Sequence, residues 1–196
     1  MAEQAAEIAQ VNERNVGGET TVLHSIELNL NPKGDGDMEA GCLGKLDLVL
    51  GSFHSKLRVK EDQTERYLAA LRNPVQILGH PRGRVYNYRL GLTADWSRVF
   101  AEAAQLDKAV EIDCFPDRQD LNVELLGLAR AAGTRVSLGT DSHHAWQLAF
   151  IELGLAAALK AGIAAERILN FIPLREIKEW VGKLRTQNPR SRGSGG

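Results

Sequence analysis

The sequence predicts an α/β domain built on a mainly parallel sheet. Three observations carry that expectation. Short β-rich or apolar runs recur along the chain, and each is followed by a longer segment of helical period. The third is composition: 196 residues with 43% hydrophobic and 25% charged side chains suit one globular unit with a buried core. A formal net charge of −1 excludes a broad basic face that coats nucleic acid, so any phosphate recognition has to be local. Cys42 and Cys114 stand far apart without CxxC spacing, which implies neither a disulfide framework nor a cysteine zinc knuckle and makes the reducing cytoplasm the expected compartment.

The elements follow in order. Ile8 and Val11 give the opening segment an apolar stripe, but its acidic, polar character is unlike a secretory signal. Residues 22–30 alternate as a first strand and end in the turn NPKGDGD. Residues 47–53 (DLVLGSF) form a second strand, and 61–71 an amphipathic helix closed by Pro74. Residues 75–79 are a third strand, Thr93 is the N-cap of a helix reaching Leu106, and 109–112 are a fourth strand. A helix over 120–132 stops at Gly133, 135–138 are a fifth strand, and a long helix over 145–161 ends at Gly162. A last helix runs from Pro173 to about Leu184. The most apolar stretch, 147–165, contains Glu152 and Lys160, so no membrane helix and no membrane partner is expected. The working domain is therefore placed at 1–185, with 186–196 as a disordered tail that has little to bury.

Parallel α/β sheets, whether open and doubly wound or closed into a barrel, carry their chemistry in the loops after the strand carboxyl ends. At or just past the predicted ends stand Glu27, His54, His80, Glu111 with Asp113, and Asp141 with His143. Three of the five histidines fall there. Imidazole nitrogens and carboxylate oxygens together suit first-row ions such as zinc, manganese or iron, and one carboxylate can bridge two of them. A lone histidine of this kind is more often structural; ligand-type residues at the ends of five strands of one sheet are not. Arg82 and Arg84 in HPRGR are candidates for holding phosphate, with a solvated basic loop as the alternative. Arg118 is either another anion partner or an ion-pair partner of Asp117 and Asp120. Glu111 fits a core-rim carboxylate, Asp113 lies nearer the site, Cys114 fits a small buried hydrophobe, and His24 and His144 have no assigned role. There is no GxGxxG after the first strand, no GxxxxGK[ST] and no GxSxG, so dinucleotide, P-loop and serine-hydrolase chemistry lack support.

The segments IELNL, LDLVLGSFHS, ILGHPRGR, VEIDCFPDRQDL and VSLGTDSHH, in that order, resemble the PHP (polymerase and histidinol phosphatase) family. The likeness is strongest to the C-terminal PHP domain of bacterial family X DNA polymerases and extends through RILNFIPLREIKEWV. It implies a distorted seven-stranded parallel β/α barrel that binds up to three divalent ions, manganese or zinc foremost and iron as a further option, and hydrolyses phosphoesters. It further implies Glu27, His54, His80, Asp141 and His143 as metal ligands, with Glu27 bridging and Glu27 and Asp141 catalytic. The implied reaction is 3′ to 5′ exonuclease or DNA end processing by metal-activated water; the alternatives are a histidinol-phosphate-like small-molecule phosphatase and an inactive remnant holding one metal. The family's opening HxH pair has no counterpart, and Asp113 stands where relatives often carry asparagine. The expectation is thus an N-terminally truncated, incomplete barrel with one to two ions. Its open edge would be covered by a polymerase domain or a second copy, and its partners would be DNA 3′ ends or another phosphoester.

Overall fold

A computed structural model describes residues 2–15, 17, 18 and 20–187. Five strands, β1 (Ser25–Leu30), β2 (Leu48–Phe53), β3 (Ile77–Leu78), β4 (Ala109–Asp113) and β5 (Arg135–Gly139), pair in sequence order, every pair parallel. The helices are α1 (Ala2–Arg14), α2 (Ala40–Leu43), α3 (Thr64–Leu71), α4 (Trp96–Gln105), α5 (Val123–Ala132), α6 (Ile151–Ala161) and α7 (Leu174–Gln187). A sequential strand order has no reversal point, and α3, α4, α5 and α6 pack each against the next. That winding is compatible with a β/α barrel and differs from a doubly wound sheet, whose order reverses at its binding crevice. Five strands are present among the described residues, with β1 and β5 at the edges.

Period-two alternation sorts each strand into two environments. One set, including Leu28, Leu30, Val49, Phe53, Leu78, Val110, Ile112, Val136 and Leu138, packs into the main core with Tyr67, Leu71, Phe100 and Leu126 from α3, α4 and α5. The opposite set begins apolar, with Leu48, Leu50, Ile77 and Ala109 against Leu169 and against Trp180, Val181 and Leu184 of α7. Toward the strand carboxyl ends this second face turns polar, through Asn29, Ser52, Glu111, Ser137 and Asp113. α7 is thus an apolar floor, anchored where Trp180 Nε1 donates to Asp107 O at 2.7 Å, and the polar positions above it form the site. The β5 edge is occupied as well: Asn170 accepts from Leu138 N at 2.7 Å and donates to Leu138 O at 3.0 Å, beside a parallel bridge between Val136 and Ile168.

Several boundaries differ from expectation because side chains have tertiary partners. The first strand starts at Ser25, because the His24 amide is taken by Asp47 Oδ2 at 2.8 Å. α3 starts at Thr64 rather than 61, and the short α2 was not anticipated. Asp95, not Thr93, caps α4 and accepts from Arg98 N at 3.1 Å, while the Thr93 carbonyl accepts from Gln63 N. α5 begins at Val123 behind the Asn122 cap, because Asp120 is buried and accepts from Arg82 N at 2.8 Å. The helix expected over 145–161 divides into a 3-10 segment, Ala145–Phe150, and α6. α7 continues to Gln187, so Thr186 and Gln187 are helical instead of belonging to a tail; residues 188–196 lie outside the described residues. No helix among the described residues is long and apolar enough to cross a membrane.

Candidate metal centre

Glu27 lies in the middle of β1 rather than at its end, on the polar face two residues before Asn29. His54 is the first residue past β2, and His80 follows β3 by two residues. Parallel register brings the three together: His54 Nε2 lies 2.7 Å and His80 Nε2 3.1 Å from the same Glu27 Oε1, with the two rings edge to face at 5.2 Å. Each offers one ligand-type atom, and these atoms all lie within 4.8 Å of one another; among the described residues no other three do so.

Neighbours fix the orientation of this triad. Asn29 Oδ1 is 2.6 Å from His54 Nδ1 and the Asn29 amide donates to Asp37 Oδ2 at 2.9 Å, so Nδ1 donates to Asn29 and Nε2 is the ring atom turned toward Glu27. His80 N–H donates to Glu111 Oε2 at 2.6 Å, which holds the His80 backbone at a φ of +21°. Glu111 reaches across Gly139, where a Cβ would meet Glu111 Oε1. A side chain at 139 would push the Glu111 carboxyl away from the His80 amide.

Carboxyl groups crowd this small volume. The hydrogen bond from His80, then the charges of His80 and His54, hold the Glu27 carboxyl below its usual range in spite of burial. Burial pushes Glu111 up, and Asp113 and Glu27 add to it although the His80 amide opposes. Asp113 rises to about 7, first through burial and then through Asp141. Burial works against a charged His80, but Glu27, Glu111 and Asp113 outweigh it and raise its pKa. His80 Nδ1 and Asp113 Oδ2 are buried without a hydrogen-bond partner. Two imidazoles and a carboxylate, converging in a field that favours positive charge and beside an orphaned carboxylate oxygen, fit a divalent first-row cation.

The other expected site residues are placed differently. Asp141, at a φ of +47°, has its Oδ2 3.3 Å from Arg118 Nη2, and His143 Nδ1 contacts the Asp141 main-chain oxygen at 2.8 Å. Neither belongs to the triad. Arg118 also pairs with Asp117 at 3.4 Å, so its carboxylate partners are Asp117 and Asp141 rather than Asp120. The Arg82 guanidinium donates to the carbonyls of Leu90 and Leu92, and that of Arg84 to the carbonyl of Arg118; both brace the loop after β3. His24 lies off the site, 3.2 Å from Gln4 Oε1. Cys114 is buried against Ile112 O, and burial pushes its thiol up to about 12, which suits an inert packing role. Asn29 is the contributor that sequence reasoning missed. Its signal was available, because a polar residue two positions from Glu27 shares its face.

No family model matches the chain. The chain is 29% identical over 162 residues to the DNA polymerase/3′-5′ exonuclease PolX of Bacillus subtilis, a match covering 82% of this chain and 28% of that protein. It is 28% identical over 172 residues to a probable phosphatase of Thermoanaerobacter sp. (strain X514), covering 82% of the chain and 67% of the relative. It is 27% identical over 159 residues to the probable phosphatase YcdX of Escherichia coli (strain K12), covering 79% and 65%. The chain thus spans little more than a quarter of the polymerase and about two thirds of the phosphatases.

Proposed function

Given that the chain is a homologue of PHP-family proteins, we propose that it is a metal-dependent phosphoesterase domain acting on DNA 3′ ends, as an exonuclease or end-processing unit. The observation that carries the reading is the Glu27, His54 and His80 triad, three ligand side chains delivered by three adjacent parallel strands to one point. Manganese or zinc suits these donors best and iron is also compatible; the metal would supply a hydroxide at neutral pH and a counter-charge for phosphoryl oxygens. The chain's own residues do the remaining work. Asn29 keeps His54 in the tautomer that presents Nε2, Glu111 fixes His80 through its amide, and the α7 floor closes the apolar side of the site. Asp113 and Asp141, near enough for the charge of Asp141 to act on Asp113, are the groups for a second ion or for taking a proton from the attacking water, with His143 beside Asp141; two ions is the upper expectation. Arg118, braced between Asp117 and Asp141, and the loop of Arg82 and Arg84 supply positive charge for the phosphate.

The working unit is a PHP-type β/α domain that runs to the end of α7, with a polymerase domain or a second copy covering its β1 edge. Two unpaired cysteines suit the reducing cytoplasm. The names of the phosphatase relatives favour a second reading, a small-molecule phosphomonoesterase. Separation of Asp141 and His143 from the triad favours a third, a one-metal remnant without turnover. Assays of the manganese- and zinc-loaded chain on a 3′-recessed duplex and on small phosphomonoesters separate the three. The first reading expects nucleotide release that His54→Ala and His80→Ala abolish; monoester turnover alone supports the second, and metal binding without turnover of either supports the third.

A further inference from the structure

One feature of the strand carboxyl-end loops takes no part in the chemistry above. After β3 the chain forms a closed turn, in which Val85 N donates to Arg89 O at 2.9 Å and Arg89 N to Val85 O at 2.8 Å, with Asn87 at a φ of +54°. The tip carries Tyr86 and Tyr88, 63% and 64% exposed, and Leu90 beyond it is 90% exposed. Aromatic rings fixed open to solvent on a hydrogen-bonded turn forgo burial that a monomer would otherwise use. Positive charge is interleaved with them: Arg58 stacks 4.3 Å over the Tyr88 ring and Arg84 stands 5.9 Å from the Tyr86 ring. Among the described residues Arg58, Arg84 and Arg89 make no ion pair; their guanidinium groups donate to the carbonyls of Tyr88, Arg118 and Gly83. Burial, then the neighbouring cations Arg118 and Arg58, lower the Arg89 pKa, a sign of crowded positive charge.

Two concavities, of about 390 and 310 Å³, flank Tyr88 and share Arg89 and Leu90 as a common wall. Their size is that of small-molecule sites. The turn is tied to the metal centre through the backbone, because Arg89 Nε donates to the Gly83 carbonyl and Gly83 N donates to the carbonyl of His80 at 2.8 Å; Tyr86 N also donates to Asp117 O at 2.6 Å.

We propose that the turn from Val85 to Leu90, together with Arg58, is a base-stacking platform for single-stranded nucleic acid beside the metal centre. Bases lie on the open faces of Tyr86 and Tyr88, and phosphates run along Arg58, Arg84 and Arg89. Stacking suits any base because every base has a π-face, and arginines between the rings track the backbone. The unpaired arginines favour this polyanion over a protein partner. The proposal rests on the phosphoesterase reading for its choice of substrate and supplies the local basic patch that a chain of net charge −1 needs.

The test is fluorescence anisotropy in EDTA, with a dye-labelled oligothymidylate of about twelve nucleotides and an abasic strand of the same length and charge. The expected result is binding of the thymidylate roughly tenfold or more tighter than the abasic strand, with Tyr86→Ala and Tyr88→Ala each removing about tenfold from the former only. Tyr88→Phe keeps the affinity because the ring, not the hydroxyl, stacks. Arg58→Gln lowers the salt slope by about one. Equal binding of the two strands, tyrosine-independent binding, or no binding at all overturns the platform. Binding is read with metal chelated, so a chain that binds in this way but turns over neither substrate in the metal-loaded assay refutes only the phosphoesterase reading.

Discussion

Lys108 offers a test of the electrostatics that does not involve the metal. It lies between α4 and β4, is 5% exposed, and donates to the Asn73 carbonyl, with no carboxylate in ion-pair contact among the described residues. Burial lowers its pKa from 10.5 to about 7. Below about pH 7 the lysine is charged in both folded and unfolded chains, and the folded state bears the full cost of burying that charge. Between about 7 and 10.5 the unfolded chain holds a proton that the folded chain has released, so stability rises with pH through this window and levels off above it. The gap between 10.5 and about 7, at about 1.4 kcal/mol per unit, sets a ceiling of about 5 kcal/mol on that cost. Lys108→Met removes it and forfeits one hydrogen bond of about 1 kcal/mol, so the variant should be more stable by about 2–4 kcal/mol at pH 6–7. The advantage should shrink as pH rises and vanish near pH 10. Urea denaturation of both proteins across this range measures the difference directly and cancels every other titrating group. A difference that does not change with pH refutes the reasoning.

Other predictions follow from the supports of the site and the floor. Gly139→Ala drives a Cβ into Glu111 and breaks its contact with the His80 amide, costing about 2–4 kcal/mol in urea melts and weakening metal binding. Asn29→Ala frees the His54 ring and should lower metal affinity about 10–100-fold in chelator competition. Its stability should change by under about 0.5 kcal/mol, because Asn29 is exposed. Trp180→Ala empties the floor and strands the Asp107 carbonyl, costing about 3–5 kcal/mol by thermal or chemical denaturation.

The parallel α/β pattern was legible because β-branched runs, Gly and Pro punctuation and helical spacing agree locally; all five strands lie within three residues of expectation at their starts. Helix starts were less legible, because Thr93 and Asp95 are both competent caps and tertiary contacts decide between them: Thr93 is held by Gln63 and Lys60, and the Asp95 amide by Thr64. His54 and His80 could be found because histidine at a strand end is rare, and Glu27 joins them through a register that no local pattern reveals. The same limit hid the α7 floor, whose apolar stripe shows amphipathicity but not which side of the sheet it covers. Asp141 and His143 sit two apart after β5 as spacing suggests, yet Arg118, arriving from the loop after β4, takes up the Asp141 carboxylate.

The central claim is that Glu27, His54 and His80 bind a metal ion. Its most direct test is metal content per chain by plasma mass spectrometry after equilibration with manganese or zinc and desalting, on the unaltered protein and on Glu27→Ala and His54→Ala. The account predicts bound metal in the unaltered chain and loss of it in both variants while their thermal midpoints still report a folded protein. A folded chain that retains no ion, or variants that keep the full complement, would contradict it.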